Sequence, residues 1–417
     1  MPPDLNPMSR KPNEFMSSGE VARIPGTSSG KNGPIRVLHV AVSLEKSRGG
    51  TAQAPLSLCR ALREHGVDAQ IASALSAETA ETSLARSYPD IPVHEFPTSF
   101  PRRFTGSAGL RKWLASEVGK FDLVEIHEIF AFPPLLGRLA CNRAKVPYLL
   151  NIHNALNPRD LQKRRWLKWI FRRPFLIPLI RDARGLKATS QYEVDTMVEY
   201  VRPPEIHTLP LPVECPMGGG NPNAFRQRFN IPSDAIVVGC VGRLDGQKAL
   251  EVLIESFGRI LKDYPKAWLL LVGRGTPEYT ERLQQLADQH QARARCTFTG
   301  FLSGVDKSSA FLAIDLYAQV SWYENFCISV AEAMAMGRPC LVSDQVGLAS
   351  DVLAAGGGFI CKTSVTNVVT GLRTALDTRS TWAELGDRAR NYFLRNLTIA
   401  ATTPKLIEIY RKIIQEG

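Results

Sequence analysis

Ile236-Val-Val-Gly-Cys-Val-Gly-Arg-Leu-Asp-Gly-Gln-Lys-Ala-Leu250 opens on a β-branched run, breaks at glycine and resumes with helix-forming residues. That order predicts a strand, a tight loop and a helix, the repeating unit of an α/β sheet. The loop presents Arg243, a rigid fork of donors, and Lys248, a mobile point charge. Together they suit a diphosphate. No Ser or Thr follows the lysine and the glycine spacing differs, so this is not a Walker loop. Taken alone, the same residues equally describe two exposed cations at a helix start.

The pattern recurs downstream. Leu269-Leu-Leu-Val-Gly-Arg-Gly-Thr276 is again an apolar run ending in a glycine loop. Ser321-Trp-Tyr-Glu-Asn-Phe-Cys-Ile-Ser-Val-Ala-Glu-Ala-Met-Ala-Met-Gly-Arg-Pro-Cys-Leu341 places Glu324 in a loop and Glu332 in a helix that Gly337 and Pro339 end. A helical Glu is usually solvated. Glu332, however, lies among Val330, Ala331, Ala333, Met334 and Ala335, where an unpaired carboxylate is costly. Two carboxylates beside a helix start suit a polyol next to a phosphate.

Taken in this order, the motifs resemble those of the retaining, nucleotide-sugar-dependent glycosyltransferases of the GT-B fold, in particular the family 4 type of bacterial polysaccharide synthesis. The matching residues are Gly242-Arg243 with Lys248, Gly273-Arg-Gly275, Phe298-Thr-Gly-Phe-Leu302, and Glu324 through Glu332 with the Ala-Met-Ala-Met-Gly-Arg-Pro that follows. The resemblance covers residues 35–417. It implies an α/β GT-B fold: two doubly wound Rossmann-like domains facing a deep cleft, with a C-terminal helix crossing back to the first.

It also implies roles. Arg243 and Lys248 would bind the donor diphosphate, Glu332 the ribose, and Glu324 with the backbone of Asn325, Phe326, Cys327 and Ile328 the transferred sugar and phosphates. Gly242 and Gly273 would belong to the donor site, with Phe301 and Leu302 flanking the base. The donor would be a UDP-, GDP- or ADP-sugar and the acceptor a saccharide or lipid-linked saccharide, with no cofactor. Cys327 stands where the family usually has Gly, which bears on donor identity.

The amino-terminal half reads consistently. Residues 35–42 form a strand, Gly49-Gly50-Thr51 a glycine loop and Ala54 to Gly66 a helix. The loop lacks Gly-x-Gly-x-x-Gly, which weakens an oxidoreductase reading. By resemblance Gly49 and Gly50 border the cleft near the donor phosphates and the acceptor, as part of the donor site. Residues 121–128 and 146–154 are strands that deliver His127 and His153 at their carboxyl ends, where ligands of open α/β sheets bind. The resemblance gives His153 a cleft role and leaves His127 a structural histidine.

The expected organisation is a disordered tail over 1–34, an acceptor domain over 35–210, a Pro- and Gly-rich linker over 211–223, a nucleotide-sugar domain over 224–398 and a terminal helix over 399–417. The tail has no apolar core of signal-peptide length, and no stretch of 18 or more uncharged apolar residues exists. Eight scattered cysteines without a Cys-x-x-Cys pair suit reduced thiols in a cytoplasm.

A net charge of +11 calls for an anionic partner. Cations and aromatics interleave from Arg159 to Phe175, which suits an anionic bilayer surface or a helix packed on its own domain. The expectation is a peripheral enzyme at the inner membrane face. No Asp-x-Asp triplet occurs, so transfer is expected to be metal-independent, with Arg243, Lys248 and a helix start meeting the leaving-group charge. A glycosidase could use the Glu pair but not the cations, an epimerase of the same fold would need no acceptor, and a nucleic-acid binder would explain the charge but not the carboxylates.

Overall fold

The computed structural model describes residues 33–416 apart from 77, 79, 100–103, 154, 158–160, 162–170, 199–204 and 215–218. The expectation for the 1–34 tail therefore lies almost wholly outside the described residues, as does most of the basic aromatic stretch from 159 to 175.

Two parallel sheets organise the chain, as the alternation of apolar runs and helices requires. The first contains β1 (Arg36–Ala41), β2 (Asp68–Leu75), β3 (Val93–Pro97), β4 (Leu123–His127), β5 (Tyr148–Asn151), β6 (Gly185–Ala188) and β7 (Ile206–Thr208), in the order β3-β2-β1-β4-β5-β6-β7. The second contains β8 (Ile236–Val241), β9 (Ala267–Val272), β10 (Cys296–Phe298), β11 (Leu316–Gln319), β12 (Cys340–Ser343) and β13 (Gly358–Cys361), in the order β10-β9-β8-β11-β12-β13. Each order reverses once, between β1 and β4 and between β8 and β11. Loops that leave neighbouring strands there diverge to opposite faces and open a crevice at the carboxyl ends.

Strand interiors are continuous apolar runs because helices cover both faces. Leu269, Leu270 and Leu271 of β9 are fully buried. The first helix, Gly50–Glu64, starts earlier than the glycines suggest, with Gly50 and Thr51 in its first turn and Ala54, Leu58 and Leu62 facing the core. Gly49 holds φ +60 just before it, a left-handed geometry that glycine adopts without penalty.

The expected linker ends sooner than its composition implies, since Pro222–Arg228 is helical. Asn221 caps it, its Oδ1 accepting from the Ala224 amide at 3.0 Å, with Pro222 in the first turn. Before it, Val213 donates its amide to Leu397 O at 2.9 Å and pairs as a bridge with Thr398. The two chain crossings between the sheets are thus bonded to each other. The terminal helix, Ile399–Glu416, then crosses back to the first sheet, where Tyr410 is fully buried.

Candidate active site at the strand ends

Three loops of the second sheet lock together through glycine. A Cβ at Gly273 would lie 1.7 Å from the Gly242 carbonyl, so the loops after β8 and β9 touch backbone to backbone only because no side chain intervenes. Gly242 donates to Val272 O and Gly273 to Gly300 O, each at 2.9 Å, tying in the loop after β10. Phe301 follows, its ring exposed, with Lys46 Nζ of the first lobe 5.4 Å from the ring centroid. Leu302 beside it is half-buried against the core.

The β8 loop is fixed by its own polar residues. Asp245 caps the turn, accepting from the Gln247 amide at 3.0 Å and from Arg243 Nε at 2.6 Å. Gln247 staples this loop to the one after β11: its carbonyl accepts from the Trp322 amide at 2.9 Å and its Nε2 donates to Tyr323 O at 3.0 Å. These bonds carry Lys248 inward while Arg243 stays exposed.

Lys248 Nζ meets Glu324 Oε1 at 2.7 Å. Burial alone would push the Lys248 ammonium down, but the adjoining carboxylate outweighs it and holds the lysine above its ordinary value. Ser321 Oγ donates to the same Glu324 oxygen at 3.3 Å, while the Ser321 carbonyl is held by Ser343 at 2.7 Å and Thr363 at 2.9 Å. Lys248, which the resemblance gives the diphosphate, and Glu324, which it gives the sugar and phosphates, are bonded to each other. In the low-dielectric wall, each charge is the other's compensation.

Past Glu324 the backbone turns sharply. Cys327 sits at φ 72 and ψ 75, left-handed, and is the N-cap of the helix Ile328–Ala335. A glycine would adopt that geometry freely, which accounts physically for the residue type the family favours there. The Cys327 thiol is buried and pushed up to about 11 by desolvation, although Lys248 opposes this. No side chain caps the helix; the Val330 amide bonds back to Cys327 O at 3.0 Å, which leaves the Ile328 and Ser329 amides without a bond among the described residues. Asn325 Oδ1 is buried with no partner among the described residues. The Asn325 carbonyl accepts from Ser190 Oγ of the first lobe at 3.0 Å, joining the two halves next to the loop.

Glu332, one helix turn deeper, is held by Lys307 Nζ at 2.5 Å. Sequence reasoning missed Lys307, which belongs to the separate helix Gly304–Ala313.

The facing wall is built on the first sheet. Register places His39 opposite Glu125, His127 opposite Asn151, and Asn151 opposite Lys187, so β1, β4, β5 and β6 contribute one polar row to a single face. Lys187 Nζ lies 2.9 Å from Glu125 Oε1, Asn151 donates to the same oxygen at 3.3 Å, and Tyr410 of the terminal helix donates to Oε2. All four are fully buried. His39, Glu125 and His127 offer ligand atoms within 4.8 Å of one another, but the Lys187 ammonium already stands where a metal ion would draw on that carboxylate.

His127 is not an isolated structural histidine. Its Nε2 bonds His39 Nδ1 at 3.0 Å and its Nδ1 bonds His153 Nε2 at 3.1 Å, a file of three imidazoles. His153 holds φ 52 and Glu128 φ 69, strained positions at the ends of β5 and β4. Glu128 is paired with Arg48 beside Gly49 and Gly50. Desolvation pushes His39 and His153 down to about 4, and His127 also well below the ordinary histidine value. The seven described cysteines are all buried and unpaired.

A glycosyl transferases group 1 model matches residues 222–392, and a glycosyl transferase 4-like domain matches residues 49–212. D-inositol 3-phosphate glycosyltransferase of Stackebrandtia nassauensis is 24% identical over 366 residues, 80% of this chain and 81% of that protein. An uncharacterized glycosyltransferase of Methanocaldococcus jannaschii is 34% identical over 124 residues, which span 31% of that protein. Phosphatidyl-myo-inositol mannosyltransferase of Mycobacterium tuberculosis is 28% identical over 56% of this chain and 57% of its own. Among solved structures, Anabaena HepE in complex with UDP and glucose superposes with a TM-score of 0.73 at 18% identity, covering 91% of this chain and all of its own.

Proposed function

The chain belongs to the family 4 type glycosyltransferases of the GT-B fold, and on that premise we propose that it moves a hexosyl unit from a nucleotide diphosphate sugar to a saccharide or lipid-linked saccharide, with retention and without a metal ion. The observation that carries this reading is the buried Lys248–Glu324 pair set beside an uncapped helix start. A fixed cation and the two free amides of Ile328 and Ser329 meet the charge that grows on a departing diphosphate, with no reorganisation at the moment of transfer.

In this reading Arg243 and Lys248 hold the diphosphate, and Glu332, oriented by Lys307, accepts the ribose hydroxyls. Phe301 and Leu302 flank the base. Glu324 and the backbone from Asn325 to Ile328 hold the sugar. Gly49 and Gly50 border the donor phosphates and the acceptor, and His153 contacts the transferred sugar or the acceptor. Because Glu324 is committed to Lys248, it is a poor nucleophile, which favours a front-face route over double displacement. The names of the inositol and mannosyl relatives support an acceptor that is a polyol or lipid-linked. No helix among the described residues is long and apolar enough to cross a membrane, and exposed Arg172, Arg173, Phe175 and Ile177 support a peripheral encounter with anionic lipid.

Calorimetry with UDP, GDP and ADP tests the reading. One should bind, and Lys248→Met should weaken it about 10- to 100-fold, the range for a charged hydrogen bond. Binding of none of the three defeats it. Activity with the matching donor should survive EDTA.

A further inference from the structure

The file His39–His127–His153 has a property that none of its members has alone. Three neutral imidazoles joined by two N–H···N bonds have only two self-consistent arrangements of protons. In one, every proton points toward the cleft: His39 donates from Nδ1 to His127 Nε2, His127 from Nδ1 to His153 Nε2, and His153 carries its proton on Nδ1. In the other, every proton points inward, His39 carries its proton on Nε2, and His153 Nδ1 is a bare lone pair. The bond lengths of 3.0 and 3.1 Å and ring planes within 26° and 20° of each other fit either chain.

The inner end decides between them. His39 is fully buried, and its Nε2 has no hydrogen-bond partner among the described residues. A proton there would be an orphaned buried donor, whereas a bare ring nitrogen is the milder omission. The opposing influence is Glu125, whose Oε1 lies 3.9 Å from His127 Nε2 and draws a proton toward it. That carboxylate is already met by Lys187, Asn151 and Tyr410, which leaves its pull on His127 real but smaller than the cost of an orphaned proton on His39. Burial keeps the rings neutral, and Lys187 and then Arg48 also disfavour an imidazolium at His153.

We propose that His39 and His127 are positioning residues that fix His153 in the Nδ1–H form, so that it meets a ligand in the cleft as a hydrogen-bond donor and not as a proton acceptor. His153 Nε2 is taken by His127, which leaves Nδ1 as the ring nitrogen with no bond to a described residue. His153 then steadies an oxygen of the bound substrate and cannot deprotonate an acceptor hydroxyl. That consequence rests on the transfer reading, but the tautomer itself does not.

The full-length chain with 15N-labelled histidine, read by two-bond 1H–15N correlation at pH 7, tests the proposal, with His153→Gln identifying the resonances. The expected result is His153 protonated on Nδ1 alone. In His39→Phe, His127 loses its inner donor, Glu125 draws the His127 proton to Nε2, and His153 should switch to Nε2–H. Either an Nε2–H or an imidazolium pattern in the wild-type protein overturns the proposal, as does an unchanged His153 in folded His39→Phe. If that variant does not fold, the wild-type spectrum still decides. Nucleoside diphosphate calorimetry stays separate, so failure of one reading is distinguishable from failure of the other.

Discussion

Lys248 Nζ lies 2.7 Å from Glu324 Oε1, at side-chain exposures of 13% and 12%, and each is the nearest countercharge of the other. Breaking such a pair from one side leaves an uncompensated buried charge, at a cost of about 3–5 kcal/mol. Glu324→Gln should show a loss of that order in urea unfolding, with transfer slowed on the order of 10²–10³. The lysine is held above its ordinary 10.5, so the stabilisation is complete below that pH and fades only above it. The penalty of Glu324→Gln should therefore be the same at pH 7 and pH 9. A penalty that falls between them contradicts the assignment.

Cys327 occupies a left-handed position at φ 72 with its side chain buried. Cys327→Gly relieves roughly 1–2 kcal/mol of backbone cost while losing thiol packing, so its unfolding midpoint should stay near wild type. Cys327→Val places a β-branched residue at positive φ and should be clearly less stable than the glycine variant. Equal midpoints for the two would show that the turn carries no strain.

Gly347 packs under the same loop, where an added Cβ would come 1.7 Å from Asn325 O and 2.9 Å from Ser190 Oγ. Gly347→Ala should cost about 1–3 kcal/mol by overpacking and, by displacing Asn325, weaken nucleotide binding in calorimetry. Unchanged affinity with lowered stability would separate the loop from the donor site.

Acid should destabilise the first lobe well before carboxylates titrate. Burial pushes His39 and His153 down to about 4, and His127 well below its ordinary 6.5, so the unfolded chain takes up protons that the native one refuses. Stability is then fully present above pH 6.5 and declines as pH falls toward 4, by roughly 2–4 kcal/mol between pH 7 and 5.5 for three such groups. His39→Phe should shrink that dependence by about a third. A flat urea midpoint over this range contradicts it.

The strands and their glycine loops were legible because the physics is local. The apolar run over 236–241 can only be an interior strand, and Gly242 and Gly273 follow it and its neighbour where backbones touch. Asn221-Pro222 also carried a helix-start signal, obscured by the Pro and Gly around it. Lys307 could not be paired with Glu332 from sequence, because the bond joins side chains of two helices 25 positions apart. The imidazole file was hidden for a related reason. His39, His127 and His153 become neighbours only through the pairing of β1, β4 and β5, and alternation within each strand says nothing about which strands adjoin.

Tyr410 donates to Glu125 across 285 positions of chain. The two matched regions, 49–212 and 222–392, look like separable modules, yet the first would expose its most polar interior if cut out alone. During synthesis that interior stays open until the helix carrying Tyr410 has left the ribosome, so the first sheet closes only after the second has been made.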